Sequence, residues 1–111
     1  MKIESQKQID VKKKEVEITK DDLKTIYSDD YEFFQGKIVP NCHCNNCTEK
    51  RGKDGYTSTI VHYRIFMQES GDVILRGRCS VCGTAIARYV ETGEVSEYVE
   101  GIAIVRKKYI V

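Results

Sequence analysis

Two Cys-x-x-Cys pairs, Cys44-Asn45-Asn46-Cys47 and Cys79-Ser80-Val81-Cys82, constrain this chain more than any other feature. They stand 31 residues apart. Each pair can clamp one edge of a tetrahedron, and two clamps complete the closed four-thiolate shell that structural zinc prefers. Soft thiolates select zinc or iron over magnesium or calcium. The expected ligands are Cys44, Cys47, Cys79 and Cys82, and the expected cofactor is one Zn2+ ion. Any fold must therefore bring two distant segments to a single point. A fifth cysteine, Cys42, makes the count odd. Odd, clustered thiols in a chain whose start lacks an apolar leader argue against a disulfide framework.

Six groups, Cys42, His43, Cys44, Cys47, Cys79 and Cys82, compete for four places. The Cys-x-x-Cys choice leaves Cys42 spare, while Cys42 with Cys44 or Cys47 is a physically possible alternative ligand set. A spare thiol beside a thiolate-rich site is expected to have a raised pKa and blunted reactivity. His43 reads as a solvent-facing neighbour or a donor to sulfur, and His62 as structural. Gly83 directly follows Cys82, where a tight turn needs a residue tolerant of positive φ. Thr48 occupies the matching place after Cys47. The first turn must therefore differ, with Asn45 and Asn46 as the residues that tolerate a left-handed backbone.

At 111 residues the chain is one domain by size. Residues 1–18 form a polar amino-terminal arm, in which Glu15-Val16-Glu17-Ile18 alternates like a short strand. A single zinc-stapled domain follows over 19–111. Thr19 reads as an N-cap with Asp21 and Asp22 in the first turn. Leu23, Ile26, Tyr27, Tyr31 and Phe34 share one face of a 3.6-residue period, which predicts an amphipathic helix over about 20–35 ended by Gly36. Ser28-Asp29-Asp30 can restart a second short helix. Tyr56–Gln68 is rich in β-branched and aromatic residues and predicts a long strand. Glu69-Ser70-Gly71-Asp72 is a hairpin turn, Val73–Arg78 the returning strand, and Thr84–Val90 a third. Val95–Val99 fits strand or helix. Ile102–Val111 alternates and predicts a final strand, placing carboxy-terminal strands over about 95–111. The expected class is α+β and β-rich, a small antiparallel sheet with one amino-terminal helix.

The order of cysteine pair, hairpin, cysteine pair with glycine, and strand over residues 41–90 resembles a zinc ribbon. The resemblance implies a three-stranded sheet pinned at one end by zinc through Cys44, Cys47, Cys79 and Cys82. A narrower likeness covers Cys42-His43-Cys44-Asn45-Asn46-Cys47 and Cys79-Ser80-Val81-Cys82-Gly83, which resemble motifs of the glutathione-dependent formaldehyde-activating family. That family carries a Cys-His-Cys-x-x-Cys cluster at a catalytic zinc and a later Cys-x-x-Cys-Gly at a structural zinc. Its amino-terminal Cys-x-Cys has no counterpart, because residues 1–41 contain no cysteine. Five thiols do not fill both sites.

Formal net charge is only +1, but residues 37–88 carry +4. Lys50, Arg51 and Lys53 flank one cysteine pair, and Arg76 and Arg78 precede the other. Converging on one face, these five could contact phosphates, with Tyr56 and Tyr63 stacking on bases. An ordinary solvated face is the competing reading. The zinc-deaminase pattern, a Ser-His-Asp order, a phosphate-cradling glycine loop and His-Glu-x-x-His are all missing. The expected function is a small module with a structural zinc that binds nucleic acid or a protein partner in a regulatory role. The enzymatic alternative is an open Cys42/Cys44/Cys47 zinc site. The longest aliphatic run is Ile102-Ala103-Ile104-Val105, so no membrane span is expected. Met1–Lys7 lacks a leader's apolar core, and the expected location is cytoplasmic.

Overall fold

The structure, a computed structural model, describes residues 15–51 and 57–109, without the Arg51 side chain. The proposed arm up to residue 14 and the segment carrying Lys53 and Tyr56 lie outside the described residues. The fold is α+β. Strand β1 (Glu15–Ile18) leads into helix α1 (Lys20–Tyr27) and, through a 3-10 turn at Ser28–Asp30, into a short helix α2 (Tyr31–Phe33). A π turn (Phe34–Ile38) ends this run. Then come β2 (Cys42–His43), α3 (Asn45–Arg51), β3 (Thr57–Ser58), β4 (Ile60–Gln68), β5 (Val73–Cys79), β6 (Ala85–Val90) and α4 (Val99–Tyr109). The main sheet is antiparallel in the order β1-β4-β5-β6, and β2 pairs with β3 in a second, two-stranded sheet.

The sheet owes its register to local sequence. Gly71, at φ +96°, closes the β4–β5 turn, where its N–H reaches the Gln68 carbonyl at 2.8 Å. Ile65 opposes Leu75 and Met67 opposes Val73. Farther along, the register shifts, so that His62 and Tyr63 stand against the single residue Gly77. His62 takes φ +53° there, the left-handed conformation that one extra residue in a bulge often needs. The bulge reverses the strand's alternation, which is how Ile60 on one side of it and Ile65 and Met67 on the other are all buried. Gly77 is required at this place, because a Cβ would lie 2.6 Å from the Val61 carbonyl oxygen.

One face of the sheet forms the core with the helices. Leu23, Ile26, Tyr27 and Phe34 pack with Ile65, Met67, Val73, Leu75 and Val90, and Ile102 and Val105 join them. Thr19 caps α1 as its sequence predicts: its side chain accepts from the Asp22 N–H, and the Asp22 carboxylate accepts from the Thr19 N–H. The expected single helix over 20–35 is instead broken at Ser28, where φ is 52°. Gly36 does not end it; the π turn runs past Gly36 and closes with the Val39 N–H on the Phe34 carbonyl. Pro40, lacking an N–H, follows directly.

The predicted carboxy-terminal strands are corrected. Ser96–Tyr98 is a 3-10 turn and Val99–Tyr109 a helix. Ile102 and Val105, three apart, are the buried positions of α4. Its backbone comes so close to α1 at Gly101 that a Cβ would lie 2.5 Å from the Thr25 carbonyl oxygen. At the other end, Lys108 and Tyr109 both bond the Asp22 carboxylate. No helix among the described residues is long and apolar enough to cross a membrane.

Candidate metal centre

The two cysteine pairs arrive on different kinds of backbone. β2 delivers Cys44 to the start of α3, where its carbonyl accepts the Thr48 N–H at 3.0 Å. Cys44 is thus the N-cap, and its sulfur accepts the Cys47 N–H at 3.5 Å, as a serine or aspartate would in that position. The expected left-handed turn at Asn45 and Asn46 is absent, since the only non-glycine residues with positive φ among those described are Ser28 and His62. Thr48 fits where glycine stands in the other pair, because here the chain simply continues into helix.

The second pair occupies a tight turn between β5 and β6. Cys79 N–H donates to the Thr84 carbonyl at 2.8 Å, and Gly83, at φ +78°, donates to the Cys79 carbonyl at 2.9 Å. The Val81 N–H points at Cys79 Sγ, 3.4 Å away. The Ser80 N–H bonds the Thr59 carbonyl at 2.9 Å, tying this turn to the β3–β4 connection.

The four sulfurs of Cys44, Cys47, Cys79 and Cys82 lie within 4.8 Å of one another. Cys44 and Cys82 approach to 3.6 Å and Cys47 and Cys79 to 3.7 Å. A tetrahedron with metal–sulfur bonds of ~2.3 Å has edges of about 3.8 Å, so the donor set suits a metal ion by both geometry and softness. Cys44, Cys47 and Cys79 are buried, and Cys82 stands half-exposed at the rim. Ile86 covers the group from β6.

Polar neighbours favour ionised sulfur. Burial opposes ionisation of Cys79, but the Ser58 hydroxyl, 3.0 Å away, and the Cys82 and Val81 amides outweigh it and hold this thiol below its ordinary value. Cys82 is held at about 5 by the Thr84 hydroxyl, the Asn46 side chain and the Thr84 amide. Cys47 is pushed up to about 12, by burial first and then by the crowded sulfurs of Cys79, Cys82 and Cys44. A divalent cation among the sulfurs would supply the counter-charge that clustered thiolates need. Ser58, Thr84 and Asn46 were not foreseen as sulfur neighbours. Thr84, two residues beyond Cys82, had a signal in its spacing; Ser58 reaches Cys79 only across the fold.

Cys42 stands outside the group. It is fully buried in the main core, with its sulfur 3.4 Å from the Ile38 carbonyl oxygen. Burial pushes its thiol up, against the partial offset of the Arg88 charge and the Ile60 amide. His43 is exposed, and its Nε2 lies 2.7 Å from Asn45 Oδ1.

Among the described basic residues, the two arginines that precede the second cysteine pair have partners within the fold. Arg76 and Arg64 face each other across β5 and β4 on the sheet face away from the core, and β1 supplies a glutamate to each. Arg76 pairs with Glu15 at 2.6 Å and lies 4.7 Å from the Phe66 ring centroid. Arg64 holds Glu17 through two bonds of 2.6 and 3.0 Å. Arg78 donates to the Gly83 carbonyl at 3.2 Å. Lys50 is exposed on α3. No protein-family model, curated protein or solved structure matches the chain.

Proposed function

We propose that this chain is a small zinc-binding module in which one Zn2+, held by Cys44, Cys47, Cys79 and Cys82, is structural. We further propose that the fold so fixed binds a protein partner in a regulatory role. The carrying observation is the four-sulfur group, drawn from a helix start and a strand turn at the spacing of tetrahedral edges. Closed four-thiolate sites leave no open position for substrate, which favours structure over catalysis. The tight β5–β6 turn with Gly83 at positive φ supports the zinc-ribbon likeness there, while Cys44 at a helix N-cap counts against it in the first pair. An open Cys42/Cys44/Cys47 site would require Cys42 to leave the core, and its complete burial counts against that alternative. Free thiols suit a reducing compartment, in keeping with a cytoplasmic location.

Protein is favoured over nucleic acid by what surrounds the arginines. Arg64 and Arg76 already have carboxylate partners, whereas Val81 at the tip of the second cysteine turn and Tyr89 on β6 are large apolar side chains open to solvent. Native mass spectrometry of the full chain should find one zinc per molecule, and X-ray absorption a shell of sulfur at ~2.3 Å. A nitrogen- or oxygen-dominated shell, or a folded chain that takes up no metal, defeats the structural-zinc reading. A salt-sensitive nucleic-acid shift lost in Arg76→Ala/Arg78→Ala would reverse the choice of partner.

A further inference from the structure

Away from the four cysteines, the described residues form a concave feature of different chemistry. A partly open cavity of about 220 Å³ lies where α1, the π turn, the end of β6 and the 3-10 turn before α4 meet. Four aromatic side chains line it, Tyr27, Phe33, Phe34 and Tyr98, together with two carboxylates, Asp30 and Glu91. Neither lysine nor arginine is among the lining residues. Its volume is below the roughly 300–1,000 Å³ of sites for drug-sized ligands, so it suits a head group rather than a whole large molecule.

The polar tips of the rings are already engaged. The Tyr27 hydroxyl lies 2.7 Å from Thr92 Oγ1, and the Tyr98 hydroxyl donates to Asp30 at 2.8 Å. Tyr27 is flanked by Phe34 and Tyr98, each with its ring centroid 4.8 Å away, the first tilted and the second edge-on. Buried Tyr27 and Phe34 form the fixed floor, while Phe33 remains 60% exposed although it lines the cavity. The π turn that begins at Phe34 is a backbone form often met at functional sites. Aromatic rings carry negative π-faces that attract cations. Aromatic walls with two carboxylates and no lysine or arginine among the described lining residues therefore have a definite complement.

We propose that this cavity binds an alkylated ammonium group, the charge held by the rings and by Asp30 and Glu91, and the methyl groups filling the apolar floor. The site shares no residue with the metal centre and does not depend on the zinc reading. Two sources of such a group are a free choline-type compound and a methylated lysine side chain. The test uses the folded full chain as purified and follows Phe33, Tyr98 and neighbouring resonances by NMR during titration. The probes are choline, a trimethyllysine peptide, its unmethylated form, and 3,3-dimethylbutanol, the uncharged shape match of choline. Choline or the trimethyllysine peptide should saturate these shifts, about five- to tenfold more tightly than its uncharged or unmethylated counterpart. Whichever of the two binds more tightly identifies the source. Phe33→Ala and Glu91→Gln change exposed side chains and should each weaken binding severalfold while amide dispersion stays native. The proposal is overturned if neither cation shifts these resonances, if 3,3-dimethylbutanol binds as well as choline, or if both variants bind like the parent.

Discussion

Replacing Asp22 by asparagine tests the clasp that holds α4 on α1, the pairing that also sets Tyr98 beside Tyr27. Asp22 is 1% exposed, an uncommon place for a carboxylate unless it is well partnered. It accepts from the Thr19 N–H at 3.0 Å, from Lys108 Nζ at 2.5 Å and from the Tyr109 hydroxyl. Burial works against the charge, but Lys108, Tyr109 and Thr19 outweigh it and hold the pKa at about 2, against an ordinary 3.8. At ~1.36 kcal/mol per pKa unit, that depression corresponds to about 2 kcal/mol of stability at neutral pH. The sign follows from linkage. A lowered carboxylate pKa stabilises fully above the unfolded-state value near 4 and ceases to do so as pH falls through about 2. Asparagine keeps an oxygen for the Thr19 amide but loses the charge. Lys108, 54% exposed, is rehydrated at little cost. Urea unfolding of both proteins between pH 7 and pH 3 should show a gap of about 2 kcal/mol that narrows below pH 4. Acid also releases metal, but it does so from both proteins, so the difference isolates Asp22. A gap that is as wide at pH 3 as at pH 7, or no gap at neutral pH, refutes the electrostatic account.

Exhaustive chelation should abolish the cooperative thermal transition followed by circular dichroism, since apparent binding energies of structural zinc, about 10–16 kcal/mol, exceed the stability of most small domains; an unchanged melt would remove the staple. Cys79→Ser should lose stoichiometric zinc, whereas Cys42→Ala should keep it, and iodoacetamide at neutral pH should leave native Cys42 unmodified. Rapid alkylation of Cys42 in the zinc-loaded protein contradicts its placement in the core. Gly77→Ala should lower the unfolding free energy measured in urea by about 1–3 kcal/mol through overpacking against the bulge. His62→Gly, at the left-handed position facing it, should be neutral or stabilising by up to about 1 kcal/mol; a clear loss in the second would mean that the His62 side chain contributes contacts outweighing its backbone strain.

What could be read from the chain and what could not divides along the range of the deciding interaction. The four-cysteine group was legible because two donors from one pair to one point demand close spacing, and spacing is written in the sequence. The β4–β5–β6 hairpins were legible for the same reason, with Gly71 and Gly83 marking the turns. The tail was not, because Ile102-Ala103-Ile104-Val105 satisfies both periods and the choice is made elsewhere. Gly101 lets α4 lie on the Thr25 carbonyl, and Asp22, 86 residues from Lys108, receives its far end. The Arg76 partner was likewise out of reach of local reading, since Glu15 lies 61 residues away on an edge strand. The first cysteine turn falls between these cases. Thr48 in place of glycine was a local sign that the backbone there never turns left-handed, and a helix N-cap is the common alternative in which a side chain three residues upstream accepts an amide. Sulfur can fill that role while still facing a metal. The same two atoms, Cys44 Sγ and the Cys47 amide, then start a helix and orient a ligand. Removing the metal should consequently unravel α3 as well as loosen the β5–β6 turn, and loss of amide protection in both segments together, ahead of the main sheet, is the pattern that hydrogen exchange should record.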